Sequence, residues 1–459
     1  MTSFGWLQIF RVGLVQAALG AMVVLTTSTL NRVMVVELAL PALLPGFLVA
    51  LHYVVQVSRP RMGFGSDAGG RRTPWIVGGM SVLAAGGVLA SVATAWMASN
   101  RTAGMLLAVF AFSLIGLGVS ASGTSLLVML AKRVPAGRRA AAATVVWMMM
   151  IFGFAVTSGL AGKMLDPYSP QRLVLVTAGV CAVAFILAMA AIYKLEGAAL
   201  APAASPNPET AQPVFRQALA QVWAEPAARQ FTIFVFISML AYSAQDLILE
   251  PFAGTVFGLT PGASTSLSGV QHGGVLAGMI LVALAGVLGA RWSQKPVLRH
   301  VGSLRGWTVA GCMASALALA GLSASGFAGP GWPLKETVFA LGVANGAFSI
   351  GAISSMMRLA NQGDQHGVQT RAGVRMGLWG AAQAVAFGLG GLMGTAASDL
   401  ARWLIASPGA AYASVFGFEA ALFVLSAVLA WQVGKPAKQQ VHDIQSQPVS
   451  FSLAISIGK

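Results

Sequence analysis

Residues 63–72 read GFGSDAGGRR. Four glycines, an aspartate and two arginines fall within ten positions of a chain in which charged residues make up only 9%. Apolar stretches of roughly twenty residues, long enough to cross a bilayer as a helix, lie on either side. The decapeptide therefore reads as a loop at the edge of a membrane.

Composition supports that reading. The chain has 459 residues, is 56% hydrophobic and has a mean hydropathy of +0.76. A soluble enzyme needs a polar skin that this composition lacks. In lipid only helices or closed barrels satisfy their own backbones, and the apolar runs are too long for barrel strands. The fold class is an all-α membrane protein.

Twelve spans are expected, near 9–30, 38–57, 74–97, 103–130, 140–162 and 173–193, then 229–250, 266–290, 306–325, 335–356, 376–398 and 410–433. Between the two sets of six lies APAASPNPETAQP (201–213), whose prolines cannot continue a helix. The expected organisation is an N-terminal half (1–193), a linker (194–228), a C-terminal half (229–433) and a tail (434–459). The first run has no basic n-region and reads as a retained helix, not a signal peptide.

With the N-terminus cytoplasmic, 22 of the 28 Lys and Arg residues fall on the cytoplasmic side. This positive-inside bias predicts both termini in the cytoplasm. It also accounts for the net charge of +15 through anionic lipid headgroups; nothing resembles a nucleic-acid module. Cys181 and Cys312 fall in helices of opposite halves and imply neither a disulfide nor a metal site.

The decapeptide then lies between helices two and three. Its spacing, Gly63-x-x-x-Asp67-x-x-Gly70-Arg71-Arg72, resembles the signature loop of the major facilitator superfamily. Glycines let helix ends approach closely, and Asp67 can pair with arginines, with Arg138 and Arg139 as candidates. The matching loop of the second half, GARWSQKPVLRHVG (289–302), has no aspartate. That superfamily implies two six-helix halves around a midplane cavity. STLNRVMVVE (28–37) and YSAQDLILE (242–250), closing the first helix of each half, form a weak internal echo.

TLNRVMVVELALPA (29–42), RPRMGFGSDAGGRRTPW (59–75), AYSAQDLILEPFAGTVFGLTP (241–261) and LSGVQHGG (267–274) resemble the PucC family, a photosynthetic branch of that superfamily. Within it the closest resemblance is to the subgroup labelled as a bacteriochlorophyll synthase chain. The resemblance implies an inner-membrane factor of a photosynthetic bacterium that handles bacteriochlorophyll or a related chlorin. Its implied partners are light-harvesting subunits or late pigment-biosynthesis enzymes, and it requires no cofactor of its own.

The label "synthase" can be tested on the residues. Joining a prenyl diphosphate to a chlorophyllide needs clustered acids to hold Mg²⁺. The thirteen acids occur singly, apart from the pair Asp246 and Glu250, so no enzyme chemistry is expected. Charges inside a bilayer are costly and mark candidate sites. Asp246 and Glu250 share a helix face, expected near its outer end before Pro251, and His272 descends from the same side. The three either hydrogen-bond one another to hold helices in register, or orient His272 as an axial ligand to a chlorin Mg²⁺. His52 is a second candidate ligand. Arg32 and Glu37 read as a structural pair, while Glu336 and Glu419 are expected near span ends within reach of water. A transporter or flippase of a small amphiphile is the competing function; it requires a titratable acid, for which Asp246 or Glu250 would serve.

Overall fold

The structure is a computed structural model and describes residues 4–56, 71–135, 138–196, 220, 223–291, 303–361 and 372–433. Among these it contains twelve α-helices and no strand, the expected architecture. The first, α1, runs Trp6–Leu25 and continues through two π-helical turns, Thr26–Leu30 and Val33–Glu37. There follow α2 (Leu43–Val55), α3 (Thr73–Met97), α4 (Arg101–Arg133), α5 (Arg139–Leu165) and α6 (Pro170–Ile192). The second set is α7 (Pro226–Phe257), α8 (Pro261–Arg291), α9 (Leu304–Ala328), α10 (Leu334–Asn361), α11 (Ala372–Leu404) and α12 (Pro408–Gln432). Eleven are long and apolar enough to cross a membrane; α2, with 13 residues, is the shorter one. Residues 63–70 and the expected linker sequence 201–213 lie outside the described residues.

Local chemistry starts these helices where it can. Asn100, Ser169, Ser303 and Ser407 each accept a hydrogen bond from the backbone N–H three residues on, opening α4, α6, α9 and α12. Proline occupies the first turn of α3, α6, α7 and α12, where its missing N–H costs nothing. Gly258, at φ 66°, ends α7 in the left-handed conformation that glycine adopts without strain.

Two expected boundaries differ most, each by seven residues. Helix α1 does not stop at residue 30 but reaches Glu37 through its π turns. Helix α7 does not stop before Pro251 but passes through it to Phe257, which sets Asp246 and Glu250 deeper than expected. A proline inside a helix leaves the carbonyl four residues earlier without its donor. Here that carbonyl belongs to Leu247, and Asn31 Nδ2 donates to it at 2.6 Å. The proline is tolerated because a side chain from α1 replaces the lost bond.

Each set of six helices has its own apolar core. One surrounds Ile9, Met22, Leu83, Phe112 and Ile115, and the other Phe252, Phe348, Trp379, Phe416 and Phe423. A smaller cluster joins the sets, with Ile151 of α5 against Val275, Met279 and Val282 of α8. The sets meet along two seams, α2 against α11 and α5 against α8.

The seams are built alike. At the end of α11, Asp399 accepts from Ala42 N (2.9 Å) and Leu43 N (2.7 Å), capping α2. At the end of α5, Asp166 accepts from Gly262 N (3.1 Å) and Thr260 Oγ1 (2.6 Å), capping α8. A step of 220 positions carries Ala42 to Gly262, Gly46 to Ser266 and His52 to His272. A step of 233 carries Phe154 to Phe387, Gly162 to Thr395 and Asp166 to Asp399. Close contact uses the same registers: a Cβ at Gly46 would lie 2.0 Å from Thr395 Oγ1, and one at Gly162 would lie 2.3 Å from Ser266 Oγ. Only glycine permits either approach.

Candidate functional site

The two stretches that echo each other in sequence are in contact. Ser28 Oγ donates to Glu250 Oε1, and Asn31 bonds the freed Leu247 carbonyl. Thr29 and Thr265 share a hydrogen bond of 3.0 Å between α1 and α8. Arg32, only 2% exposed, donates through Nη1 to Glu37 and through Nη2 to Leu259 O at 2.6 Å. It passes over α7 at Gly254, where a Cβ would sit 3.0 Å from Nη2. The π turns of α1 make this possible: each adds a residue to a turn and shifts the side chains that follow toward α7.

Asp246, Glu250 and His272 share one neighbourhood but do not hydrogen-bond one another directly, as the first of the two sequence readings required. His272 Nδ1 lies 2.8 Å from Ser268 O, and the ring meets Phe154 edge-on at 5.0 Å. The Ser268 hydroxyl approaches the Glu250 carboxylate without full hydrogen-bond geometry, leaving Oε2 unpaired. Gln271 Nε2 donates to Asp246 Oδ1 at 3.3 Å. The acids thus reach the helix of His272 through Ser268 and Gln271. Because a carbonyl only accepts, Nδ1 carries the proton and Nε2 keeps the lone pair, the form of imidazole that can bind a metal.

His52 has the same tautomer, with Nδ1 2.8 Å from Val49 O, and its ring lies tilted against Tyr53 at 4.2 Å. Tyr53 in turn contacts Phe387 at 5.6 Å, the register partner of Phe154. Among the described residues, no three of His, Cys, Asp and Glu gather as a resident metal ion would need. An apolar groove of about 440 Å³ between α3 and α4, lined by Pro74, Trp75, Gly79 and Leu114, lies apart from these groups.

Of the loop motif, Gly63, Asp67 and Gly70 lie outside the described residues, while Arg71 is exposed and Arg72 buried. Of its candidate arginine partners, Arg139 donates through Nε to Val134 O at 3.0 Å. The acid at this end that sequence reasoning missed is Glu196. It accepts from Arg72 N (2.6 Å), Thr73 N (2.7 Å) and Thr73 Oγ1 (2.7 Å), capping α3. Burial works to raise its pKa, but the Thr73 and Arg72 hydrogen bonds and the Arg72 charge outweigh it and hold the carboxyl below its ordinary value. Glu336 is exposed at the start of α10, as expected. Glu419 is not near water: it lies midway along α12, 1% exposed. The free cysteines Cys181 and Cys312 are both buried.

A family profile described as "PUCC protein" matches residues 29–437. The chain is 51% identical to the "Bacteriochlorophyll synthase 44.5 kDa chain" of Rhodobacter capsulatus, over 93% of this chain and 95% of that one. It is 29% identical to "Protein PucC" of the same organism, over 92% and 91%. It is 28% identical to "Protein PucC" of Cereibacter sphaeroides, over 92% and 91%. Among solved structures it resembles the peptide transporter POT in complex with sulfate (TM-score 0.67, 13% identity, covering 95% and 97%). It also resembles a POT family transporter in complex with 5-aminolevulinic acid (TM-score 0.68, 12% identity, covering 95% and 99%). At these identities the structural likeness concerns the fold alone.

Proposed function

The chain belongs to the PUCC protein family, and from that premise we propose that it handles bacteriochlorophyll in the inner membrane, delivering pigment to light-harvesting or reaction-centre complexes. The observation that carries this reading is the 51% identity, over nearly the whole chain, to a relative named for bacteriochlorophyll synthesis. The chain is read as a carrier and not a synthase, several of its described acids being committed to capping and helix contacts. Both termini are cytoplasmic and the two six-helix sets act as two halves, in keeping with the basic bias of one end.

His272 is the ligand that would meet the pigment Mg²⁺ through Nε2, with Ser268 O fixing the ring. A carrier needs a ligand that can let go, and one neutral imidazole is a modest donor. Purification of the full chain from a bacteriochlorophyll-producing host should yield a copurifying chlorin spectrum. His272→Phe should lose or shift that spectrum while keeping the aromatic contact with Phe154. A folded His272→Phe variant with unshifted pigment would remove His272 as ligand. A colourless wild-type protein that takes up an amphiphile with protons would favour transport instead.

A further inference from the structure

Helix α12 carries Phe416, Glu419 and Phe423 on one face. Phe416 meets Phe252 of α7 edge-on (5.0 Å), and Phe423 meets Phe348 of α10 edge-on (5.6 Å). Glu419 is therefore held between the two aromatic contacts, facing the wedge between α7 and α10. Both of its carboxyl oxygens are enclosed and have no hydrogen-bond partner.

Helix registry identifies its level. Phe252 contacts Tyr412 and Phe416, so on the antiparallel α7 the residue level with Glu419 is Asp246. Ser323 Oγ donates to Ala413 O (2.8 Å), which brings Ser315 of α9 to the same layer. Ser315 donates to Asn345 Oδ1 of α10 at 2.8 Å, and Asn345 Nδ2 is left buried without a partner. Asp246, Ser315, Asn345 and Glu419 thus form a polar layer inside the second set of helices.

The surrounding ionisable groups are Asp246, Glu250 and Tyr242 on α7, Cys312 on α9, and Asp399 and Arg402 at the end of α11; α10 offers none at this depth. Asp246 is the group whose charge acts on Glu419, and it is an acid, not a cation. An ionised carboxylate with no donor, no cation and an acid beside it would bear an uncompensated charge in apolar surroundings, at a cost of several kcal/mol. A protonated one bears none. Asp246 differs in being less enclosed than Glu419, which is 1% exposed.

From this geometry we propose that Asp246 and Glu419 form an exchangeable proton site, with Glu419 storing the proton and Asp246 serving as its port. The step moves a proton from one carboxyl group to the other when the side chains swing into hydrogen-bond contact: the O–H bond of one breaks as that of the other forms, with no redox change. The site stands whether the cargo is a pigment or another amphiphile. It lies on the helix that α1 grips through Ser28 and Asn31, so its charge state bears on the contact between the two sets of helices.

Infrared spectroscopy of the full chain in lipid vesicles tests this. The wild-type protein should show a protonated carboxyl band at neutral pH that shifts on transfer to D₂O, and Glu419→Gln, which keeps shape, should remove it. Asp246→Asn should keep the Glu419 band and slow its shift in D₂O at least tenfold. This second variant keeps Glu419 and so remains decisive if Glu419→Gln cannot be purified folded. An unchanged carboxyl region in folded Glu419→Gln, or D₂O exchange at the wild-type rate in Asp246→Asn, would overturn the proposal.

Discussion

The two seams between the helix sets share a skeleton and differ in chemistry. Each has a carboxylate at a helix end, a glycine against a hydroxyl, a histidine ten residues into the capped helix and a phenylalanine on the facing helix. Around His272, however, positions 268 and 271 are serine and glutamine, which reach toward Glu250 and Asp246. The same register around His52 puts Leu48 and Leu51 there, and no acid follows. The common part is what two packed helices require, and one difference lies in the side chains that connect a histidine to a carboxylate. Under the proposed function, the α5/α8 seam is the one that would hold the pigment.

Converting one seam into the other gives the largest expected effect. Ser268→Leu with Gln271→Leu should lower pigment retention by about tenfold, because hydrogen bonds to charged groups are worth about 1.5–3 kcal/mol. The mirror change, Leu48→Ser with Leu51→Gln, should destabilise by about 2 kcal/mol without raising retention, since it truncates a buried leucine. Retention is read from pigment absorbance per folded protein, and equal retention in both doubles would mean that the seams do not differ in function.

A smaller effect is expected where the seams agree. Asp166→Ala and Asp399→Ala should each cost about 1 kcal/mol, the usual size of a lost helix cap. Each aspartate accepts two hydrogen bonds, so the two costs should be equal. Thermal unfolding in one detergent compares the two, and a cost at only one site would show the symmetry to be geometric and not energetic.

The smallest effect belongs to the basic end, where described hydrogen bonds such as Arg11 to Ala191 O (2.9 Å) and Arg133 to Glu196 O (2.6 Å) stay within the first set of helices. Glu196 has its pKa lowered on folding, so its stabilisation is present above the ordinary glutamate range and is lost as pH falls through its folded value. Glu196→Gln should flatten that acid limb and leave stability unchanging across it. An unaltered acid limb would assign the pH dependence to other carboxylates.

The number of helices, their apolar character and the family could be read from the chain alone, because spanning lipid demands long apolar runs and loop motifs such as GFGSDAGGRR are contiguous in sequence. The acids Asp246 and Glu250 could be singled out for the same reason, since a charge stands out in an apolar run. What those charges meet could not. Pro251 reads as a helix end until Asn31 of another helix is seen to replace its missing bond, and Glu419 reads as a residue near water until the packing of α12 encloses it. Asp166, Asp399 and Glu196 carry no local signal, because each caps a helix distant in sequence. Helix formation follows from neighbours along the chain; the pairing of buried polar groups follows from which helices touch, and only the tertiary structure decides that.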